Sequence, residues 1–243
     1  MFSASEPEAC FVRGGGGQAE FTKNCDLTAS SAARCAGIDS NMSRATWIAI
    51  RRGELPQEVP DPLMRMIMDR GTDEQPLAML EYCLTKLWDA EKHSLVPEWR
   101  FTRFVYDYRA SEVYRLGATP DSIVLRDRES KIAHLLEIKT LQLGDHNNDD
   151  SRRAQADASH ILQVLVQLFC TGLNEAHLFY YRRHTGFKRC FKITSNDELF
   201  IKHVLPVLLP GLRNTRERRM PTGSRASITN MLQSRLFCNE RLL

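Results

Sequence analysis

Three charged residues sit inside two otherwise apolar stretches. Asp121 lies in Ala118-Thr119-Pro120-Asp121-Ser122-Ile123-Val124-Leu125, and Glu137 and Lys139 lie in Ile132-Ala133-His134-Leu135-Leu136-Glu137-Ile138-Lys139. Both stretches are rich in aliphatic and β-branched residues, and the polar run from Arg126 to Lys131 between them has turn chemistry, which predicts an antiparallel hairpin. On a strand, side chains at i and i+2 share a face. Glu137 and Lys139 therefore point together, Ile138 points into the core, and Asp121 meets Glu137 if the register is right. Two carboxylates converging on one point repel each other, and a hard cation removes that cost while using their oxygens.

A second polar set lies on a helix. His160 to Gly172 is apolar on nearly all sides and ends at a glycine suited to the C′ position. Such a helix is buried, yet His160, Gln163, Gln167 and Thr171 recur at three- and four-residue spacing and make one polar stripe. Buried polar groups need partners, so the stripe either bonds neighbouring backbone or lines a site. Upstream, Thr28 or Ser30 can cap a short helix built of small residues. A capped N-terminus offers free N–H groups to phosphate, and an ordinary cap is the plainer reading. Between the hairpin and the buried helix, Asp145, His146, Asp149 and Asp150 read as a solvated loop, with Arg152 and Arg153 able to touch a nucleic-acid backbone when it orders.

These residues must be positioned by the rest of the chain. Its 243 residues, 42% hydrophobic, can bury one sizeable core. Residues 1–18 end in four glycines and read as a flexible tail. Pro62 to Ala90 has helical periodicity, broken at Gly71 and Pro76, with Asp73 able to cap a restart. Residues 176–183 and 187–193 read as two more strands, and Ser195 to Glu198 as a capping box opening a helix. Pro210-Gly211 is expected to end the folded core, so that residues 19–210 form the domain and 211–243 a basic tail. That tail holds seven arginines and two glutamates, whereas the whole chain has a net charge of only +3. A basic tail is compatible with nucleic acid, although a solvated helix face is the commoner explanation. Seven cysteines without a CxxC pair argue against a disulfide framework and for a reducing, intracellular compartment. No apolar stretch is long enough to span a bilayer.

Pro120-Asp121 followed by Glu137-x-Lys139 resembles the PD-(D/E)xK nuclease motif. The flanking segments resemble one branch of that superfamily, the lambda-type exonucleases of phages and viruses, also called YqaJ-like viral recombinase nucleases. The resemblance covers roughly Thr22 to Leu209 and implies an α/β fold, a restriction-endonuclease-like mixed β-sheet flanked by helices. It implies Mg²⁺ or Mn²⁺ held by Asp121, Glu137 and the Ile138 carbonyl, with Lys139 orienting or deprotonating a water. Gln163 and Gln167 match the family's Gln-x-x-x-Gln helix; Gln163 would position the lysine or the scissile phosphate, and Gln167 would join the DNA contacts. Leu27-Thr28-Ala29-Ser30, with Lys23 seven positions before the serine, matches the stretch that holds the 5′-phosphate end of the DNA. Gln75 stands where the family places a metal-facing glutamate, four positions after Gly71. Glu74 could substitute, but the two cannot both face the site in a regular helix.

The implied activity is 5′-to-3′ digestion of linear double-stranded DNA with a 5′-phosphate end, in recombination, repair or viral DNA processing. A ring-shaped trimer and a single-strand annealing protein are the partners the resemblance brings with it. An endonuclease or resolvase of the same superfamily is the first alternative. A DNA-binding module that has lost catalysis is the second, suggested by Gln75 and by Ser122 in place of the family's glycine.

Overall fold

The computed structural model describes residues 2–11, 18–56, 62–96, 99–126, 131–141, 155–216 and 225–243. The N-terminal part contains β1 (Phe2–Ala4), β2 (Glu8–Phe11), α1 (Gln18–Asn24), β3 (Leu27–Thr28), a 3-10 turn (Ala29–Ser31), α2 (Ala32–Ala36), α3 (Arg44–Arg51) and α4 (Pro62–Cys83). The middle contains β4 (His93–Val96), β5 (Trp99–Asp107), β6 (Glu112–Ala118), β7 (Ser122–Arg126), β8 (Lys131–Thr140) and α5 (Ala158–Thr171). The rest is β9 (Glu175–Arg182), β10 (Phe187–Thr194), α6 (Asp197–Leu199), a π turn (Phe200–Val204), α7 (Leu205–Arg216), α8 (Arg225–Leu232) and β11 (Cys238–Arg241).

Two mixed sheets result. One runs β1-β5-β6-β3 with β2 also paired to β5, and the other runs β11-β10-β9-β8-β7-β4. The expected hairpin is present as the antiparallel pair β7–β8, and β9–β10 is the second expected pair. The long connection from β8 to β9 carries α5 and makes those two strands parallel, the usual outcome of a helical crossover.

α5 explains the shape of the core. It packs against β5 and β6 of one sheet and against β9 and β10 of the other. Ile161, Leu162, Val164, Leu165, Val166 and Leu168 are all essentially inaccessible, as an all-round apolar helix between two sheets requires. Asp157 caps its first turn by accepting from Ser159 N at 2.7 Å, and Gly172 ends it at φ +73°. α4 covers the other face of the six-stranded sheet through Ala78 and Tyr82, against Val124, Leu136, Ile138 and Phe179.

Several sequence expectations are corrected. Residues 2–4 and 8–11 are strands on β5, because its edge offers backbone partners to an extended N-terminus. α4 continues through Gly71 and Pro76 without a restart and stops at Cys83, leaving Leu80 and Leu84 exposed. The cap before α6 is Asn196, which accepts from Leu199 N at 2.8 Å, and not Ser195. Pro210-Gly211 does not end the core. α7 runs through both residues, because a glycine there lets the helix approach α2 so closely that any Cβ would collide with Cys35. Leu212, Leu232 and Phe237 are fully buried, and β11 adds a strand to β10. The packing of the segment beyond Gly211 offsets the helix hydrogen bond that Pro210 forgoes.

Among the described residues no helix is long and apolar enough to cross a membrane. The six cysteines whose side chains are described are free thiols.

Candidate active site

The β7–β8 register pairs Ser122 with Leu136, which sets Asp121, one residue before β7, against Glu137. Asp121 Oδ2 accepts the Ile138 N–H at 2.6 Å. Strand alternation sends Ile138 into the core under α4 and turns Glu137 and Lys139 together towards α5.

Glu137 is almost wholly buried and is gripped from three directions. Its Oε1 accepts from Lys139 Nζ at 2.7 Å and from Gln163 Nε2 at 2.6 Å, and its Oε2 accepts from Gln167 Nε2 at 2.7 Å. Lys139 Nζ also donates to Gln163 Oε1 at 2.9 Å. One helical turn separates the two glutamines, so the polar stripe of α5 is the surface that holds the carboxylate. The stripe ends differently: His160 Nδ1 lies 2.9 Å from Tyr180 Oη, and Thr171 returns its hydroxyl to the Gln167 and Leu168 carbonyls.

The charges explain the electrostatics. Burial first, and the Glu137 carboxylate second, push the Asp121 carboxyl up to about 7, against the opposing Ile138 N–H, Lys139 and Gln75. Burial alone would lower the Lys139 ammonium, but Glu137 and Asp121 outweigh it and hold its pKa above the ordinary value. Two carboxylates and a backbone segment meet where one carboxyl is reluctant to ionise, beside a lysine that balances only part of the charge. Two carboxylates so placed are the kind of oxygen donors that a hard divalent cation takes.

Gln75 also reaches this point from α4, its side-chain amide lying near enough to Asp121 to favour the ionised carboxylate. Glu74 does not; it is buried against Arg70 at 3.1 Å, one residue's rotation away on the helix. Gln167, expected among the DNA contacts, is fully buried behind Glu137 and has no surface to offer a strand. Thr28 is buried and engaged with Ser31, its Oγ1 3.0 Å from Ser31 Oγ, while Ser30 is exposed on the same 3-10 turn. That turn packs against α5, the helix that grips Glu137. Lys23 is exposed in the last turn of α1. Arg152 and Arg153, and the Asp145 to Asp150 run, lie outside the described residues.

One group escaped sequence reasoning. His134, Glu175 and His177 come together at the other end of β8 and β9 with Tyr82 of α4. Glu175 and His177, 41 and 43 positions after His134, meet it only through the parallel pairing of those strands, for which the sequence offers no local signal.

No family model matches the chain, and no curated protein gives a significant match. Among solved structures the fold is similar to that of an alkaline exonuclease (LHK-Exo) from Laribacter hongkongensis. That protein is 19% identical, with 82% of this chain and 92% of that chain covered at a TM-score of 0.52. A structure of LHK-Exo in complex with dAMP gives 20% identity, 82% and 91% coverage, and a TM-score of 0.51. The likeness lies in the architecture: the chain has a nuclease-like α/β fold of mixed sheets flanked by helices.

Proposed function

We propose that this chain is a divalent-metal-dependent deoxyribonuclease that hydrolyses phosphodiester bonds, acting as a 5′-to-3′ exonuclease on linear double-stranded DNA. The observation that carries the reading is the convergence of Asp121, Glu137 and Lys139, with Glu137 fixed by Gln163 and Gln167. Mg²⁺ or Mn²⁺ bound there would polarise the scissile phosphate and lower the pKa of a bound water. A cation on the two carboxylates would cancel the charge that holds the Lys139 ammonium up, so that Lys139, tethered to Glu137 and Gln163, would orient that water or take its proton. Gln163 contacts both Glu137 and Lys139, so it keeps the base and the carboxylate in one geometry. Gln75 supplies a neutral amide beside Asp121, so the charge at the site comes from two carboxylates and one lysine.

Lys23 and Ser30, both exposed, are the residues for a 5′-phosphate, with the turn that carries Ser30 docked on α5. The fold similarity to an alkaline exonuclease supports the exonuclease reading, and the dAMP bound by that neighbour is a nucleotide of the kind such digestion releases. A homo-oligomer, a single-strand annealing partner and a role in recombination or viral DNA processing follow only from the sequence resemblance.

The test is digestion of linear duplex with and without a 5′-phosphate, beside closed circular duplex, in Mg²⁺. Release of mononucleotides from the phosphorylated ends is expected. Efficient nicking of the circle would instead select the endonuclease or resolvase reading.

A further inference from the structure

On the sheet face that packs against α4, opposite the face carrying Glu137 and Lys139, a second set of donors meets. His134 on β8 and His177 on β9 are neighbours through the parallel register, with ring centroids 3.9 Å apart. Glu175 adds a half-buried carboxylate, and one ligand atom from each of the three lies within 4.8 Å of the others. The buried Tyr82 hydroxyl stands 2.9 Å from His134 Nε2 and 2.6 Å from His177 Nδ1. Burial, then His177, lowers His134 to about 3; burial, then Lys192 and His93, lowers His177 to about 4. Both rings are therefore neutral near pH 7, the form that binds metals.

Proton accounting sharpens the picture. Each neutral ring carries one N–H and the phenol one O–H. When both rings donate to the phenol oxygen, with the phenol proton turned away, His134 is left with a bare lone pair at Nδ1 and His177 with one at Nε2, the two free nitrogens that joint ligation needs. A donating His177 presents a bare lone pair at Nε2, which lies 3.7 Å from Glu175 Oε1. That gap is too long for a hydrogen bond and close to the roughly 3.4 Å between two ligands at zinc bond lengths in a tetrahedron. In that tautomer a cation between the lone pair and the carboxylate makes their approach favourable. Lys192 Nζ holds the other Glu175 oxygen at 2.6 Å, which leaves Oε1 directed to the ring.

We infer that His134, Glu175 and His177 form a second divalent-cation site, of the zinc class, with Tyr82 bracing the imidazoles. Two imidazoles and a carboxylate suit Zn²⁺ far better than Mg²⁺, and three protein ligands leave a fourth position for water. An ion here ties β8 to β9 and, through Tyr82, ties α4 to the sheet, so its binding raises the stability of the fold. The inference stands apart from the proposed hydrolysis, whose donors lie on the other face.

The test is calorimetric titration of the metal-stripped full chain with Zn²⁺, together with Co²⁺ absorption as a readout of coordination. The D121N/E137Q double variant, which keeps the imidazole site alone, should take up one Zn²⁺ per chain and give a four-coordinate Co²⁺ spectrum. E175A, at a half-buried position, should weaken that uptake at least tenfold, and in the wild-type background should remove one zinc equivalent and its rise in Tm. No zinc uptake by D121N/E137Q while its circular dichroism matches wild type, or uptake and Tm unaffected by E175A in either background, would overturn the assignment.

Discussion

Replacing Asp121 with asparagine should make the metal-free protein more stable above neutral pH. Burial and the Glu137 carboxylate raise the Asp121 carboxyl from 3.8 to about 7. A carboxyl with a raised folded-state pKa contributes its stability in full below the unfolded pKa and loses it as the pH climbs through the folded value. The loss therefore runs between 3.8 and about 7. At about 1.4 kcal/mol per pH unit the ceiling is about 4 kcal/mol, and solvent access to Asp121 brings the expected cost to roughly 2–4 kcal/mol. Asparagine keeps an oxygen for the Ile138 N–H and carries no charge. In EDTA at pH 8, D121N should therefore melt roughly 4–16 °C above wild type. At pH 5 wild-type Asp121 is largely protonated, and the advantage should fall below half. Mn²⁺ at 100 times its Kd should then return about 2.7 kcal/mol to wild type and nothing to the variant. Thermal unfolding by circular dichroism at both pH values, with EDTA or Mn²⁺, reads all four conditions. A D121N protein no more stable than wild type at pH 8 in EDTA, or equally favoured at pH 5, would refute the reasoning.

Lys139→Ala should lower cleavage of 5′-phosphorylated duplex by about 10²–10⁴-fold while calorimetry still detects Mn²⁺ binding, since both carboxylates remain. Gln167→Leu should weaken Mn²⁺ binding by about 10–100-fold, as removal of a hydrogen bond that orients a ligand does. Its melting temperature should move little, because Gln167 Oε1 is buried without a hydrogen-bond partner among the described residues and leucine relieves that cost as it removes the bond. Gly211→Ala should destabilise by about 1–3 kcal/mol in urea, since its Cβ would strike the Cys35 backbone in α2 and force the helices apart.

The hairpin and the polar stripe were legible because each is written in local periodicity. Alternation set Glu137 and Lys139 on one face, and three- and four-residue spacing set Gln163 beside Gln167. The partner of that stripe was not legible. That both glutamines close on Glu137 depends on the crossover that lays α5 between two sheets, and β5 and β6, which complete that sandwich, went unread. Gln75 against Glu74 was a question of helical phase, and only the docking of α4 on β8 answers it. The end of the core was misjudged at Pro210-Gly211 because Pro-Gly is ordinarily a stop. Here the missing Cβ lets two helices touch, and Phe237 and Leu232 return to the core. His134 and His177 looked like strand residues because nothing near them in the chain announces a parallel neighbour.

The central claim is that Asp121 and Glu137 share one cation. A crystal soaked in Mn²⁺ and measured for anomalous scattering tests it most directly. The account predicts a peak bonded to both carboxylates and the Ile138 carbonyl, with Lys139 beside its water. A peak bound to neither carboxylate, or no peak at saturating Mn²⁺, would contradict it.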